Sequence, residues 1–157
     1  MDKIKTNEGD LIVRDGRFAI VAARFNEFIV DSLIKGSLRC FRQHGANDAD
    51  IEIIRVPGAF EMPVAVDRIA ASRRVDGIIA LGAVIRGATP HFGYVAGECV
   101  KGISAAGQKH GIPVGNGVLT VDTIEQAIER AGSKAGNKGE EATLAVNEMV
   151  NLLRRID

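Results

Sequence analysis

Three nearly continuous apolar runs constrain the fold of this chain more than any other feature. They are FAIVAAR at residues 18–24, IEIIRV at 51–56 and GIIALGAVI at 77–85. Because apolar and polar residues do not alternate in them, each run is typical of a strand covered on both faces. A fourth run, PVGNGVLT at 113–120, is interrupted by Gly-Asn-Gly and indicates a strand less strongly.

Helical patterns separate these runs. Apolar residues at three- and four-residue spacing follow each run, and the patterns end at Gly45, Ser72, Gly111 and Gly132. A last amphipathic helix is predicted from residue 142 to residue 156. Strands and helices in alternation predict a parallel sheet with helices on both faces, and 157 residues suit a single domain.

Composition excludes several classes of function. Twenty Lys and Arg residues balance twenty Asp and Glu, so neither nucleic acid nor an anionic membrane is an expected partner. The chain has no apolar run of the ~20 residues that a membrane span needs, and its N-terminus does not resemble a secretory signal. Cys40 and Cys99 form no CxxC pair and no cluster has metal-ligand spacing. We therefore expect a cytoplasmic protein without a metal site.

Ligands of open parallel sheets bind beyond the carboxyl ends of the strands, so the loops there should hold the functional residues. Phe25 follows the first strand, either as a core residue before an Asn26 helix cap or as an aromatic platform. VPGAFEMP at 56–63 follows the second strand, and its Pro-Gly turn lets backbone approach a ligand. Glu61 in that segment suits either a helix start or the hydroxyl groups of a polyol.

The segment GAVIRGATPHF at residues 82–92 follows the third strand. Its glycine spacing is similar to a P-loop, but Ala88 occupies the lysine position, which disfavours a nucleoside triphosphate. Thr89 as N-cap and Pro90 as the first helical residue predict free N–H groups that favour a single phosphate. His91 would then be the second helical residue, where a neutral imidazole that accepts a proton is expected. A surface histidine without a role is the alternative.

Three cations follow the fourth strand. Arg130 ends a short predicted helix, where a cation interacts favourably with the helix dipole. Lys134 and Lys138 lie in a polar, glycine-rich segment and are expected to be solvated loop charges.

Four motifs in order are similar to those of the 6,7-dimethyl-8-ribityllumazine synthase family, from about Phe18 to the C-terminus. They are RFNEFIVDSL, VPGAFEMPVA, ALGAVIRGATPHFGYVAGE and TIEQAIERAGSKAGNKG. The resemblance implies a three-layer, flavodoxin-like α/β fold with a four-stranded parallel sheet. It also implies a transferase that condenses 5-amino-6-(D-ribitylamino)uracil with 3,4-dihydroxy-2-butanone 4-phosphate, the penultimate step of riboflavin biosynthesis. The family uses no metal or organic cofactor.

The resemblance assigns roles to particular residues of this sequence. His91 matches the proton-transfer residue. The residues that match the pyrimidine and ribityl subsite are Phe25, Ala59, Phe60, Glu61, Ala83, Val84, Ile85 and Asn116. Ala88, Thr89 and Arg130 match the subsite of the butanone phosphate. Asn116 stands where many members carry Phe, which leaves its role open.

Assembly into a homo-oligomer is also implied by the resemblance. Family members form pentamers, and some build icosahedral shells of twelve pentamers, for which riboflavin synthase is a candidate guest. Residues 1–13 would form an N-terminal arm whose strand-like segment GDLIV, residues 9–13, adds to a neighbour's sheet. The segment has no obvious partner in its own chain, and proteins usually cover such an edge. Asn116 and Arg130 would then face a neighbour's pocket.

Two alternatives belong to other functional classes. The first is a shell protein without activity; the presence of Phe25, Glu61, Thr89, His91 and Arg130 argues against it. The second is a flavodoxin-like module that binds a finished flavin, which affinity for free flavin without turnover would indicate.

Overall fold

A computed structural model describes residues 3–157, so Met1 and Asp2 of the predicted arm lie outside the described residues. The central sheet has four strands, all parallel, in the order β2-β1-β3-β4. Its strands are β1 (Phe18–Ala23), β2 (Ile51–Val56), β3 (Gly77–Ile85) and β4 (Val114–Val121). The predicted parallel sheet is thus confirmed, and the run with Gly-Asn-Gly is a regular edge strand.

Five helices cover the two faces of this sheet. They are α1 (Glu27–Gln43), α2 (Met62–Ser72), α3 (His91–His110), α4 (Ile124–Glu129) and α5 (Lys138–Ile156). Alternate residues of each strand enter two apolar clusters, one against α2 and α3 and the other against α1, α4 and α5. This arrangement confirms the expected flavodoxin-like α/β fold. Within residues 3–157, none of the helices has the length and apolar character that crossing a membrane requires.

The segment before α5 is more ordered than the sequence predicts. The predicted polar connection forms a small antiparallel pair, β5 (Ala131–Ser133) and β6 (Gly136–Asn137). Helix α5 then begins at Lys138 rather than at Ala142. The buried Asn137 side chain accepts from the backbone N–H groups of Gly139 and Glu140, at 2.8 and 3.2 Å. Apolar spacing missed this first turn because the turn is polar and is fixed by a cap.

The glycines of β4 fit the strand rather than interrupt it. Side-chain atoms on Gly115 would collide with α5, since an added Cβ would lie 2.7 Å from the carbonyl oxygen of Ala142. Gly117 is equally crowded by Leu81 of β3. Asn116 lies between them and points to the opposite face, where it is exposed. The helix packing therefore requires small residues at two of these three positions.

The N-terminal segment has partners in its own chain, which corrects the expectation that it has none. Residues 9–13 form no strand among the described residues. Instead the side chain of Asn151 on α5 donates to the carbonyl oxygens of Asp10 and Ile12, each at 2.8 Å. The backbone N–H of Val13 donates to the His44 carbonyl at 2.8 Å. These contacts come from residues 31 to 141 positions away in sequence, so no local pattern predicts them.

Both cysteines are free and buried. Burial raises the pKa of the Cys40 thiol to about 11, with a smaller contribution from the carboxylate of Glu140. Burial alone raises the pKa of the Cys99 thiol to about 11. Both thiols are therefore protonated at neutral pH and are poor nucleophiles, as their sequence context indicates.

Helices α1 and α5 pack closely because small residues face each other. The hydroxyls of Ser37 and Thr143 are 2.6 Å apart and buried, and Thr143 donates to the Gly139 carbonyl at 2.8 Å. Ser37 is then the donor to Thr143. A Cβ at Gly139 would lie well inside van der Waals distance of the Leu33 carbonyl oxygen.

We predict that Gly139→Ala destabilises the protein because this helix contact must open to admit the methyl group. Overpacking of this kind costs about 1–3 kcal/mol. Glu148→Ala, an exposed substitution in the same helix, should change the free energy of unfolding by less than ~0.5 kcal/mol. Urea unfolding at one fixed protein concentration measures both. Equal midpoints for the two variants would contradict the close packing.

Candidate functional site

The four strands end at one edge of the sheet, and a cavity of about 330 Å³ opens there. Its volume is within the range of small-molecule sites. The residues that line it come from the ends of β1 and β3, the turn after β2, and the starts of α3 and α4. They are Phe25, Asn26, Ala59, Ala83, Val84, Ile85, His91, Val95 and Ile124. Six of the predicted site residues therefore meet in one chain.

The loop after β1 presents an aromatic ring to solvent. The Phe25 side chain is 73% exposed, so it is not a core residue, and its backbone N–H donates to the Pro57 carbonyl at 3.1 Å. Asn26 occupies the predicted N-cap position of α1, but its φ of 64° is left-handed and its side chain makes no cap hydrogen bond to the helix. Its Nδ2 instead donates to the Ala83 carbonyl at 2.7 Å. This bond ties the loop to β3 and fixes Phe25 at the cavity.

A short 3₁₀ turn, Ala59–Glu61, follows β2 and leads into α2. Ala59 is buried in the cavity wall, whereas Phe60 and Glu61 are exposed beside it. A Cβ on Gly58 would lie 3.3 Å from Glu61 Oε2 and 4.0 Å from Phe25 Cβ. The carboxylate and the aromatic side chain therefore flank Gly58, at the mouth of the cavity.

Helix α3 begins one residue later than the sequence predicts. Pro90 is its N-cap, with φ −71° and ψ 2°, and His91 is the first helical residue rather than the second. Thr89 makes no cap because the turn at Pro90 puts the first helical hydrogen bonds further along the chain. His91 is exposed and lines the cavity, while Ala88 and Thr89 lie exposed just before it. The free N–H groups of a 20-residue helix thus open beside the cavity.

Asn116 and Arg130 lie away from this cavity. Asn116 pairs with Ala80, and Val121, the last residue of β4, pairs with Ile85 at the carboxyl edge. Asn116 is therefore five residues, or about 16 Å of strand, from that edge. Asn116 lines a second, larger groove of about 510 Å³ between α3 and α5, which lacks the convergence of strand ends. Arg130 donates to the Gln126 carbonyl at 3.0 Å, as a cation at a helix end does. Its side chain remains 42% exposed.

Three cavity residues were not predicted as part of the site. Val95 lies one helical turn after His91, on the same face of α3, so helical spacing would have identified it. Ile124 follows β4 and would have been found by extending the rule about strand ends to the fourth strand. Asn26 was predicted only as a helix cap. Among residues 3–157, no group of three or more His, Cys, Asp or Glu side chains is placed to hold a metal ion.

Comparisons with known proteins agree with the geometry. Residues 15–154 match the family model described as 6,7-dimethyl-8-ribityllumazine synthase. A protein of that name from Halorhodospira halophila is 56% identical over 155 residues, which cover 98% of this chain and 99% of the relative. Every residue that lines the cavity falls inside the matched region.

Proposed function

The chain belongs to the 6,7-dimethyl-8-ribityllumazine synthase family, and we propose that the cavity at the carboxyl edge of its sheet is where it carries out the family's reaction. The protein is a transferase of riboflavin biosynthesis. It condenses 5-amino-6-(D-ribitylamino)uracil with 3,4-dihydroxy-2-butanone 4-phosphate and releases phosphate and water. The observation that carries the assignment of the site is the meeting of Phe25 and His91 at one cavity.

The pyrimidine stacks on Phe25. An aromatic side chain that is 73% exposed gains apolar contact when a flat ring covers it. The ends of β3 at Ala83, Val84 and Ile85 offer backbone groups to the edge of the uracil. Glu61, which flanks Gly58 beside Phe25, accepts hydrogen bonds from the ribityl hydroxyls, with Ala59 and Phe60 around the chain.

The phosphate of the four-carbon substrate lies before α3. Ala88 and Thr89 precede the helix, whose free N–H groups and positive dipole end attract an anion. The fork of donors on Arg130 suits a phosphate, and it reaches the cavity of a neighbouring copy. Asn116 comes from the same neighbour and closes the pyrimidine side.

His91 moves protons between the two subsites. The substrate amine attacks the ketone and gives an imine with loss of one water, phosphate is then eliminated, and the ring closes with loss of a second water. Each step needs a proton added to or removed from nitrogen, oxygen or carbon. An imidazole on the cavity wall, next to the phosphate position, is placed for these transfers.

We predict that His91→Ala lowers turnover, since general acid–base groups typically contribute ~10²–10⁴-fold. The measured decrease should be smaller than this factor, because the substrates also condense without catalysis and the other site contacts remain. EDTA should leave the unmodified protein unaffected. Lumazine absorbance under saturating substrates measures both results. Activity that EDTA abolishes and zinc restores would contradict this role.

Arg130→Lys should selectively weaken the binding of the phosphate-bearing substrate, because lysine lacks the planar fork of donors. The loss of a charge-assisted hydrogen bond costs ~1.5–3 kcal/mol. The KM for the butanone phosphate should rise while the Kd of the pyrimidine stays nearly unchanged. Steady-state kinetics and equilibrium titration separate the two. Equal weakening of both substrates would count against the assignment.

The protein is a homo-oligomer as its family implies, and the proposed unit is a pentamer, with twelve pentamers in a hollow shell. Two unpartnered features of the chain support the use of neighbours. The groove beside Asn116 lies along the open edge of β4, and the open edge of β2 exposes Ile53. The arm, held at its base by Asn151, extends toward such an edge in the next copy. Riboflavin synthase is a candidate guest of the shell.

A cytoplasmic location fits the two free cysteines.

Deleting residues 1–13 should weaken assembly and activity together, because the arm links copies and the site is shared. Light scattering of the purified protein and of the deletion variant measures the particle. A stable, active monomer would contradict both the ring and the shared site. A lone pentamer or a decamer would contradict the shell alone.

A further inference from the structure

The Arg86 side chain joins three segments of the cavity edge. Arg86 follows β3, and its backbone N–H donates to the Val121 carbonyl at 2.9 Å, as the last bond between β3 and β4. Its Nε donates to Asp122 Oδ1 at 2.7 Å. Its guanidinium carbon also lies 4.5 Å from the centroid of the Phe92 ring, within cation–π distance.

These contacts close the loop that carries the proposed phosphate subsite. Arg86 and Phe92 bracket residues 87–91, so the stacked pair joins the two ends of that loop. Within residues 3–157, no hydrogen bond involves Gly87, Ala88 or Thr89. A Cβ on Gly87 would meet no atom within 4 Å. Few contacts of its own therefore fix the conformation of the loop, which depends on the contacts at its two ends.

The carboxylate that holds Arg86 is itself anchored. Asp122 follows β4, and its backbone N–H donates to Gln126 Oε1 at 2.7 Å. Gln126 and Thr123 form the reciprocal cap at the start of α4. Phe92, at the other contact, packs on the apolar cluster under α3. The guanidinium thus rests between two fixed groups.

We propose that Arg86 is a positioning residue that holds Ala88, Thr89 and His91 in place for the phosphate-bearing substrate. The inference rests on the proposed function of this loop. Arg86 acts through the loop, since Asp122 holds its Nε and the Phe92 ring lies against the face of its guanidinium. Direct binding of phosphate by Nη1 or Nη2 is the competing role, which a variant of Asp122 distinguishes. Exposed ion pairs contribute little to stability, so the effect falls on the geometry of the site.

The Arg42–Asp48 pair provides a matched control. Its Nε–Oδ1 distance is 2.9 Å and its side chains are 56% and 66% exposed. The corresponding values for Arg86 and Asp122 are 2.7 Å, 58% and 63%. Arg42 lies at the end of α1, and neither partner lines the cavity. The Arg42 pair has a second hydrogen bond, from Nη2 to Asp48 Oδ2 at 3.0 Å, so it is at least as well formed as the Arg86 pair but does not border the loop.

Steady-state kinetics of Arg86→Met, Phe92→Leu and the double variant test the proposal. Each single change should raise the KM for the butanone phosphate ~10-fold, since misplacement by 1 Å reaches a cost of ~10²-fold. The pyrimidine KM should stay within ~2-fold, the double variant should be no worse than the worse single one, and Arg42→Met should match the unmodified protein. Equal effects on both substrates, or a multiplied loss in the double variant, would overturn the proposal.

Asp122→Ala, which removes the acceptor of the Arg86 Nε–H, separates positioning from direct binding of phosphate. Positioning predicts a rise in the phosphate KM like that of Arg86→Met, because the anchor is lost. A direct ligand would be freed by the loss of Asp122, and an unchanged or lower KM would overturn the proposal. Thr89→Ala and Arg130→Lys are the reference arms. If both leave the phosphate KM unchanged, the proposed subsite itself is wrong. If both raise it and Arg86→Met does not, only the role of Arg86 is wrong.

Discussion

Parallel pairing of β1 with β3 determines where the loops of the candidate site meet. The register from Phe18 opposite Gly77 to Ala22 opposite Leu81 brings the carboxyl ends of both strands to the same edge. Helices cover both faces of the sheet, so this edge is where backbone, an exposed ring and a helix start come together. The bond from Asn26 to the Ala83 carbonyl then locks the first loop against the third strand. Phe25 and His91 share a cavity because of that register, although they are far apart in sequence.

The apolar runs predicted the strands well because burial on both faces leaves a signal in every residue. β2 and β3 begin and end where the sequence predicts, and β1 and β4 differ by a residue at their ends. Features set by long-range contacts were not predictable in the same way. Asn26, for example, takes a left-handed conformation and bonds to β3. The cap by which Asn137 starts α5 is local, and apolar spacing missed it because the segment is polar. The contact of Arg86 with Asp122 spans 36 residues of sequence, so only the fold places the two together.

The candidate site in one chain is incomplete in a systematic way. Phe25, Glu61 and His91, the residues proposed for the pyrimidine, the ribityl chain and proton transfer, gather at the carboxyl edge. Arg130, which is proposed to bind phosphate, and Asn116 lie elsewhere. Both face outward, one at the end of α4 and the other in the groove beside the open edge of β4. Such a division is expected when a heterologous interface of a closed ring brings the two halves together. The resemblance assigned all of these residues to one site. Because they lie in two places in a single chain, a site shared between neighbouring copies explains the assignment.

Mixing of two inactive variants tests that account most directly. His91→Ala removes one half of the proposed site and Arg130→Ala the other, so each assembly alone should have low activity. Unfolding the two together in equal amounts and refolding them should restore about a quarter of the activity of the unmodified protein, because that fraction of interfaces pairs two intact halves. Activity that remains at the average of the two variants after mixing would show that both residues act within one chain, and would contradict the shared site.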